Sequence, residues 1–392
     1  MIPAIMPTYG RAPMTFEKGE GSWLIERDGT RYLDFAAGIA VTGLGHAHPD
    51  LVKVVQDQAA ALWHTSNLYN IPAQQELADK LVAETFADTC FFANSGAEAM
   101  ECALKMARKY WSSKGQPERV NIITFTGSFH GRTLGTISAA ASEKLTGGFG
   151  PLLPGIINLP MGDHDALTAA MDETIAAVVV EPVQGEGGII PLPDACLKGL
   201  RDLCDQTGAL MICDEIQCGM GRTGKLFAHE WAGVAPDIMA VAKGIGNGFP
   251  LAVCLATEEA ASGMTAGTHG STYGGNPMAC SVGAAVMDHI ADDAFLAEVN
   301  RKSGLMRQKL EGLVASHPDI FELVRGAGMM IGLKCKVPNM DVINAGYAEH
   351  ILTVPGGDNV IRILPALTIS DDEIAEGIAR LDRAARKLEA SL

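Results

Sequence analysis

The sequence has too few cations for a protein that binds nucleic acid. Its 392 residues include 30 lysines and arginines against 46 aspartates and glutamates, a formal net charge of -16 and an isoelectric point near 5.0. A surface of this sign repels a phosphate backbone and an anionic membrane surface. We therefore expect no nucleic-acid partner and no membrane association, and any anionic ligand must meet positive charge that is concentrated locally.

Long apolar runs, targeting patterns and paired cysteines are also absent. No stretch reaches the roughly 18 apolar residues of a membrane span, and MIPAIMPTYG lacks the basic, apolar and small-residue order of a signal peptide. The expected location is the cytoplasm. The nine cysteines contain no C-x-x-C pair, and Cys213 and Cys218 bracket an acidic stretch without a nearby histidine. We predict reduced, mostly buried thiols and no metal site.

A large apolar fraction, arranged in alternating segments, is what the sequence does have. Hydrophobic residues make up 47% of the chain, which is enough for a large core. Helical periodicities at 50–62 and 72–86 give way to short apolar runs separated by further helical segments. The runs are 90–92, 120–125, 177–180, 209–213 and 238–242. This alternation predicts an α/β domain with a mostly parallel sheet that is buried on both faces.

The two ends of the chain differ from this middle part. Residues 22–35, SWLIERDGTRYLDF, place Asp28-Gly29 between two alternating runs, which predicts a β-hairpin. After about residue 275 come a long helical stretch, mixed segments and a charged amphipathic helix at 371–391, which indicate a smaller α+β domain. We predict a hairpin segment at 1–50 that packs with the small domain, a large α/β domain at 51–275 and the small domain at 276–392.

Candidate ligand-binding groups follow the predicted strands, at the edge where open α/β sheets bind ligands. In NSGAEA, Ser95 and Glu98 have the spacing of a capping box at a helix start. The N–H groups of Gly96 and Ala97 at such a start suit a phosphate. A capped helix that binds no ligand is the alternative interpretation.

Two further loops carry an aromatic ring, an arginine and two acids. In TFTGSFHGRTLG, Phe129 can stack on a flat ring and Arg132 can bind a carboxylate through two hydrogen bonds. A surface loop with a solvated arginine is the alternative, and His130 has no second histidine at ligand spacing. In VVVEPVQGEGG, Glu181 and Glu186 are either an acid–base pair or acids of which Glu186 faces solvent. Spacing alone does not decide.

The segment ALMICDEIQCGMGRTGK has two incompatible interpretations. Residues 219–225 have the glycine and lysine spacing of a P-loop, but a P-loop needs Ser or Thr directly after the lysine, and Leu226 follows Lys225. The glycines also do not come straight after the strand, whereas Asp214 does. Asp214 can form a charge-assisted bond to a protonated ring nitrogen, with Gln217 near a ring substituent. An aspartate that caps the next turn is the alternative.

Lys243 ends an otherwise apolar strand in PDIMAVAKGIGNGFP. It is either an edge residue that extends to water or a desolvated amine, and burial lowers an amine's pKa and makes it a nucleophile toward an aldehyde. Amides for a phosphate, an aromatic for ring stacking, an acid for a pyridinium and an amine for an aldehyde are what pyridoxal 5'-phosphate requires. All four lie at predicted strand ends of one sheet, which favours the desolvated amine and this cofactor.

Ordered motifs over nearly the whole chain resemble those of class III pyridoxal-phosphate aminotransferases. They are NSGAEA, FHGRTLG, EPVQGEGG, DEIQCGMGRTG, PDIMAVAKGIGNGFP and GSTYGGNP, and the similarity extends from FAAGIAVTGLGHAHP to NVIRILPALTI. The resemblance implies fold type I and a homodimer with active sites shared at the subunit interface. Within the class the chain most resembles the branch that transaminates acetylornithine with 2-oxoglutarate, giving glutamate, in arginine biosynthesis. Succinyl-diaminopimelate, ornithine or 4-aminobutyrate is the alternative substrate.

The resemblance also implies roles for individual residues. Lys243 corresponds to the lysine that binds the cofactor aldehyde, and Asp214 to the partner of the ring nitrogen. Further cofactor contacts are implied for Ser95, Gly96, Ala97, Phe129, Gln217 and Thr272, and substrate contacts for Arg132, Glu186, Arg362 and Ser271. The family often has Thr where Ala97 stands, so a hydroxyl contact is lost here. Thr272 corresponds to a threonine that reaches the phosphate of the neighbouring subunit.

Two unlike substrates in one site lead to a hypothesis about its arginines. Acetylornithine brings a terminal amine with a distant carboxylate, whereas glutamate has a carboxylate next to the reacting carbon. We expect Arg132 to take the distant carboxylate of both, and Glu186 to neutralise Arg362 until glutamate or 2-oxoglutarate binds, because an unpaired buried guanidinium is costly. Residues 40–42 and 67–69 are expected to line the acyl end of the pocket.

Overall fold

The structure is a computed structural model that describes residues 2–140 and 142–392. The strands are β1 (Phe16–Glu20), β2 (Trp23–Glu26), β3 (Arg31–Asp34), β4 (Thr89–Ala93), β5 (Asn121–Phe125), β6 (Ile156–Leu159), β7 (Ile175–Val180), β8 (Val183–Gln184), β9 (Ile190–Pro191), β10 (Leu210–Asp214), β11 (Ile238–Val241), β12 (Ala252–Ala256), β13 (Phe321–Ala327), β14 (Met330–Cys335), β15 (Ile351–Leu352), β16 (Val354–Gly356) and β17 (Val360–Ile363). The helices are α1 (Ala37–Ala40), α2 (Pro49–Ala61), α3 (Pro72–Glu84), α4 (Gly96–Ser113), α5 (Leu134–Ala140), α6 (Glu143–Thr146), α7 (His164–Ala170), α8 (Asp194–Thr207), α9 (Glu258–Ala261), α10 (Pro277–Ile290), α11 (Asp293–Ser316), α12 (Asn339–Ala348) and α13 (Asp371–Glu389).

The central sheet has the strand order β4-β12-β11-β10-β7-β5-β6. β10 runs parallel to β7 and β11, and β5 runs parallel to β6 and β7. β12 runs antiparallel to both of its neighbours, β11 and β4. The predicted mostly parallel sheet is therefore confirmed. The sequence analysis did not identify β6 and β12, because a short apolar run does not by itself distinguish a strand from a buried helix segment.

Both faces of this sheet are covered, as the continuous apolar strands predicted. Successive side chains of a strand point to opposite faces. Val179 of β7 packs with Met100 of α4 in one apolar cluster, and Val178 packs with Leu197 of α8 in another. The sheet is thus a rigid base from which the loops after its strands project.

The N-terminal hairpin joins elements from the far end of the chain. β2 and β3 pair antiparallel on either side of the Asp28-Gly29 turn, in which Gly29 has φ 92°, so the predicted hairpin is confirmed. β3 also pairs parallel with β15, and Phe35 lies in one apolar cluster with Ile363. The segment therefore packs with β17, the strand that carries Arg362.

The helix that follows residue 275 packs with the large sheet. Val286 of α10 lies in one apolar cluster with Leu77 of α3 and Val241 of β11. Met306 of α11 lies in the cluster of the second sheet, which has the order β13-β14-β17-β16. This packing favours a boundary between α10 and α11, and the predicted boundary at residue 275 stays a prediction.

Membrane-spanning helices and the state of the cysteines were both predicted from the sequence. Among the helices that the structure describes, none combines the length and the apolar character needed to cross a membrane. The nine cysteines are free, with seven buried, Cys90 half-buried and Cys196 exposed. The prediction of mostly buried, unpaired thiols is confirmed.

Candidate active site

A cavity of about 390 Å³ lies at the carboxyl edge of the central sheet. Because β4, β5, β7, β10 and β11 run in the same direction, the loops after them meet at this edge. The predicted site residues that line the cavity are Ser95, Gly96, Ala97, Phe129, Arg132, Glu186, Asp214, Gln217 and Lys243. Residues from five separate parts of the chain are thus brought together.

Asp214 is the last residue of β10 and is 3% exposed. Its Oδ2 lies 2.7 Å from Nδ1 of His130, and its Oδ1 accepts a hydrogen bond from the N–H of Ile216. Burial opposes a charged imidazole, but the hydrogen bond and the negative charge of Asp214 outweigh it and raise the pKa of His130. Glu215, the next residue, points away and hydrogen-bonds to the N–H groups of Ala228 and His229. Asp214 is the acid of this pair that faces the cavity.

Lys243 begins the 3₁₀ turn Lys243–Gly246 directly after β11. Its backbone has φ 49°, which a lysine rarely adopts outside sites that the surrounding structure fixes. Burial, aided by the positive charge of Arg362, lowers the pKa of Lys243 to about 8, against the attraction of Asp214 and Glu181. The amine therefore loses its proton more easily than a solvated lysine, as a nucleophile for an aldehyde must.

The two acids that the sequence left undecided have different surroundings. Glu181 is buried and accepts hydrogen bonds from the N–H groups of Phe129 and Gly185. Burial and the nearby charge of Asp214 raise the pKa of Glu181. Glu186 is 44% exposed on the cavity wall, and its Oε2 lies 2.9 Å from Nη2 of Arg362. The two glutamates are not a pair, and Glu181 instead fixes the loop that carries Phe129.

Arg362 and Arg132 present their positive charge differently. The Arg362 side chain on β17 is 4% exposed, and its Nε donates to the carbonyl of Pro355. Arg132 is exposed, lines the cavity, and has its guanidinium carbon 5.5 Å from the ring centroid of Phe129. A carboxylate that enters the cavity meets Arg132 directly, whereas Arg362 is already paired with Glu186.

The start of α4 forms one wall of the cavity. Oγ of Ser95 accepts a hydrogen bond from the N–H of Glu98, as the sequence predicted. The carboxylate of Glu98 accepts from the N–H of Asn94, whereas a capping box would bring it to the N–H of Ser95. The N–H groups of a helix's first turn have no acceptor within the helix. At Gly96 and Ala97 they belong to residues of the cavity wall, where they suit a phosphate.

Two polar atoms at the cavity support the presence of a bound ring with polar substituents. Oε1 of Gln217 and Nε2 of His130 are buried, and neither has a hydrogen-bond partner among residues 2–140 and 142–392. Buried polar groups are nearly always paired, so these atoms suit a ligand. Together with the amine of Lys243, the carboxylate of Asp214 and the helix start, they fit pyridoxal 5'-phosphate.

Ser271 and Thr272 lie outside the cavity that a single chain encloses. Oγ of Ser271 accepts hydrogen bonds from Asn94 and from the N–H of Gly274. Thr272 is exposed. Of the two segments expected at the acyl end, residues 40–42 reach the cavity through Val41, whereas Asn67 lines a separate cavity beside Ser271. The contacts implied for Ser271 and Thr272 stay predictions.

The P-loop interpretation is wrong in its local structure. Residues 215–227 form a series of turns, and no helix follows Lys225 before the 3₁₀ turn at Ala228–Ala232. Arg222 in this segment is fully buried and donates to the carbonyl of Pro365. The ammonium of Lys225 lies 5.5 Å from the ring of Trp231. A P-loop needs its glycines at a helix start, which this segment lacks.

Asn247 links the lysine turn to a distant loop, a contact that the sequence alone did not reveal. It ends the turn that begins at Lys243, with φ 44°, and its Oδ1 accepts a hydrogen bond from the N–H of Leu44 at 2.7 Å. Its Nδ2 donates to the carbonyl of Gly45. The loop before Leu44 carries Val41 into the cavity. One amide side chain thus joins the lysine turn to the opposite wall, through partners some 200 residues distant.

Replacing Asn247 by glycine is expected to loosen the lysine turn while keeping its backbone, because glycine adopts a positive φ freely. Loss of two hydrogen bonds should lower the free energy of unfolding by about 1–3 kcal/mol. We expect kcat to fall about tenfold with a smaller change in KM, because small displacements of a reacting group slow the chemical step. N247D, which keeps an acceptor for Leu44, should recover part of kcat. If N247G lowers only the melting temperature, Asn247 has no positioning role.

Known proteins with the same sequence pattern identify the family. Residues 5–385 match the family Aminotransferase class-III. The chain belongs to the class-III aminotransferases. It is 62% identical to an acetylornithine aminotransferase of Rhodobacter capsulatus over 99% of both chains. It is 38% identical to the crystal structure of an N-acetylornithine aminotransferase from Stenotrophomonas maltophilia, with TM-score 0.86 over 98% of both chains.

Similarity to this family also fixes the cofactor. An ornithine aminotransferase structure from Toxoplasma gondii, which has PLP at its active site in partial occupancy, superimposes with TM-score 0.94 and 29% identity. It covers 99% of this chain, which covers 93% of that structure. The cofactor of this class-III aminotransferase is pyridoxal 5'-phosphate, and the α/β transferase fold implied by the sequence is confirmed.

Proposed function

We propose that the enzyme transfers the terminal amino group of N2-acetyl-L-ornithine to 2-oxoglutarate, giving N-acetyl-L-glutamate 5-semialdehyde and L-glutamate in arginine biosynthesis. The observation that carries the proposal is the pairing of Glu186 with Arg362, 2.9 Å apart beside a cavity in which Arg132 is exposed. The exposed guanidinium of Arg132 can bind a carboxylate far from the reacting amine. Arg362 stays paired with Glu186 until a second carboxylate binds. The 62% identity to the Rhodobacter enzyme supports this choice.

The chemistry divides between the cofactor and the chain. When bound, the cofactor supplies an aldehyde that takes up the amino group and a ring that delocalises an electron pair from the substrate carbon. Lys243 would hold the cofactor through its aldehyde, and its freed amine would then carry a proton to and from the substrate carbon. Asp214 would accept a hydrogen bond from the protonated ring nitrogen, and His130 fixes the position of that carboxylate. Phe129 would stack on the ring, and Glu181 accepts a hydrogen bond from the N–H of Phe129.

Arg362 and Glu186 distinguish the two substrates in this proposal. While Glu186 neutralises Arg362, the site beside Lys243 favours a neutral chain such as that of acetylornithine. A carboxylate next to the reacting carbon, as in glutamate or 2-oxoglutarate, displaces Glu186 and binds Arg362. Since Glu186 is 44% exposed, it can turn toward solvent at modest cost.

Replacing Glu186 by glutamine tests this division directly. E186Q leaves Arg362 without its anion, so discrimination in favour of acetylornithine over glutamate should fall by about tenfold, or roughly 1.4 kcal/mol. The rate with glutamate should be retained. The measurement is kcat/KM for each amino donor in separate half-reactions. E143Q is the matched control, because Glu143 is an exposed acid outside the cavity wall. Equal slowing of both half-reactions by E186Q would contradict the proposal.

The substrate itself is tested by a half-reaction screen. Acetylornithine, ornithine, succinyl-diaminopimelate, 4-aminobutyrate and glutamate are each added to the holoenzyme without an amino acceptor. We expect acetylornithine and glutamate to convert the cofactor most efficiently. The conversion is measured as the change in the cofactor's visible absorbance. Initial rates with both substrates should give the parallel lines of a ping-pong mechanism. If another donor has a higher kcat/KM, that donor is the substrate and acetylornithine is not.

We propose further that two chains associate in the cytoplasm and complete each other's active sites. Large apolar side chains are exposed on the two segments that a hydrogen bond from Asn67 to Ser271 joins, with Tyr273 62%, Leu68 87% and Tyr69 67% exposed. Isolated exposed apolar residues are ordinary, but a group of them favours contact with another protein surface. Light scattering should give the mass of a dimer. Co-expressed K243A and T272A chains, each defective alone, should regain activity in mixed dimers.

A further inference from the structure

Three side chains with metal-binding atoms meet where the start of α2 lies against the end of α10. His48 precedes α2, Asp50 is in its first turn and His289 is in the last turn of α10. One ligand atom from each lies within 4.8 Å of the others. Nε2 of His289 is 3.1 Å from Oδ2 of Asp50, and the two imidazole centroids are 4.8 Å apart.

Nδ1 of His48 is a buried polar atom beside His289. It has no hydrogen-bond partner among the residues that the structure describes. Buried polar atoms are nearly always satisfied by protein, water or an ion.

The ligand set and its spacing suit zinc. Two imidazoles and a carboxylate, with water in the fourth position, form a tetrahedral Zn²⁺ site, and bonds of about 2.0–2.2 Å place ligand atoms ~3.3 Å apart. The separation of 3.1 Å between His289 and Asp50 already matches. The remaining ligand atoms would need to approach by at most about 1.5 Å. We propose that His48, Asp50 and His289 bind a zinc ion that joins α2 to α10.

The two helices hold these ligands on a fixed backbone. Leu51 of α2 and Ile290 of α10, each next in sequence to a ligand, are buried in one apolar cluster. α10 also packs against the 3₁₀ turn that contains Lys243. The sequence analysis predicted no metal site because it compared residues at short spacing, whereas these ligands lie at positions 48, 50 and 289 of the chain. An ion that binds only the folded chain stabilises it by mass action.

The test compares zinc binding by the chelator-treated holoenzyme and its variants, all carrying C196S to remove the exposed thiol. We expect about one zinc per chain by elemental analysis after dialysis. The melting temperature should rise by about 3 °C when free zinc is a hundredfold above Kd. H289A and D50N should lose both effects. H164A is the matched control, because His164 is an exposed histidine between two aspartates, and it should behave like the parent.

The result separates this site from adventitious binding. Zinc-dependent stabilisation that is lost in H289A and D50N but kept in H164A supports the site. Equal stabilisation in all four proteins, or a parent that retains no zinc, would overturn it. Aminotransferase activity is not the readout, so the outcome is independent of the substrate proposed above.

Discussion

Replacing Lys243 by alanine is expected to lower kcat/KM for acetylornithine by at least about 10⁴-fold, since acid–base catalysis alone contributes roughly 10²–10⁴. The same amine also binds the cofactor covalently. Its pKa falls from 10.5 to about 8. Near pH 7 a larger fraction of this amine is therefore neutral than for a solvated lysine. The measurement is steady-state glutamate formation, with the cofactor content of the purified variant determined in parallel.

Lys225→Ala is the matched control for this prediction. Lys225 is exposed and lies over Trp231, away from the cavity wall. We expect K225A to keep the parent's activity. Neither the parent nor K225A should bind a nucleotide in a magnesium-dependent way. If K243A retains about one tenth of the parent's activity, Lys243 is not the catalytic amine. Loss of acid–base and covalent catalysis together would lower activity by more than tenfold.

Replacing Asp214 by asparagine is expected to lower kcat by about 10²–10³-fold, the usual loss when one preorganised charge-stabilising group is removed. The neutral amide no longer favours a protonated ring nitrogen, so the ring withdraws electrons less strongly. The change also leaves His130 without its anion, and breaking a buried charged pair costs about 3–5 kcal/mol of stability. Rates must therefore be compared at a temperature where both proteins are folded, which thermal unfolding determines.

Glu215→Gln separates the chemical effect from the loss of stability. Glu215 is 0% exposed and lies 3.0 Å from its own histidine, His229, yet it does not line the cavity. E215Q should be destabilised much as D214N is, with kcat of the folded enzyme nearly unchanged. If the two variants lose kcat equally, Asp214 acts through folding and its proposed bond to the ring nitrogen is wrong.

Local patterns predicted the sheet and the side chains at its edge, because apolar runs and the first polar residue after each run are adjacent in sequence. Asp214 and Lys243 were identified in this way. The pairing of Glu186 with Arg362 came from family resemblance, since Glu186 lies between β8 and β9 and Arg362 lies on β17, far away in the chain. The hydrogen bond between His130 and Asp214 was missed, because tertiary packing alone brings together residues so far apart in the chain.

The antiparallel strand β12 and the role of Asn247 were missed for a related reason. An apolar run has the same composition in either strand direction, so only its neighbours in the folded sheet reveal that β12 is reversed. Asn247 looks like an ordinary turn residue, and its bonds to Leu44 and Gly45 depend on where a distant loop folds. Such long-range contacts hold the site together and leave no local signal.

Borohydride reduction of the holoenzyme, followed by peptide mapping, identifies the amine that binds the cofactor aldehyde. The reagent reduces the bond between the cofactor and the amine that carries it, so that the two stay linked during digestion. We expect one pyridoxyl group per chain, on the peptide that contains Lys243, and none on the peptide that contains Lys225. A pyridoxyl group on any other lysine, or a purified protein that binds no pyridoxal 5'-phosphate, would contradict this expectation.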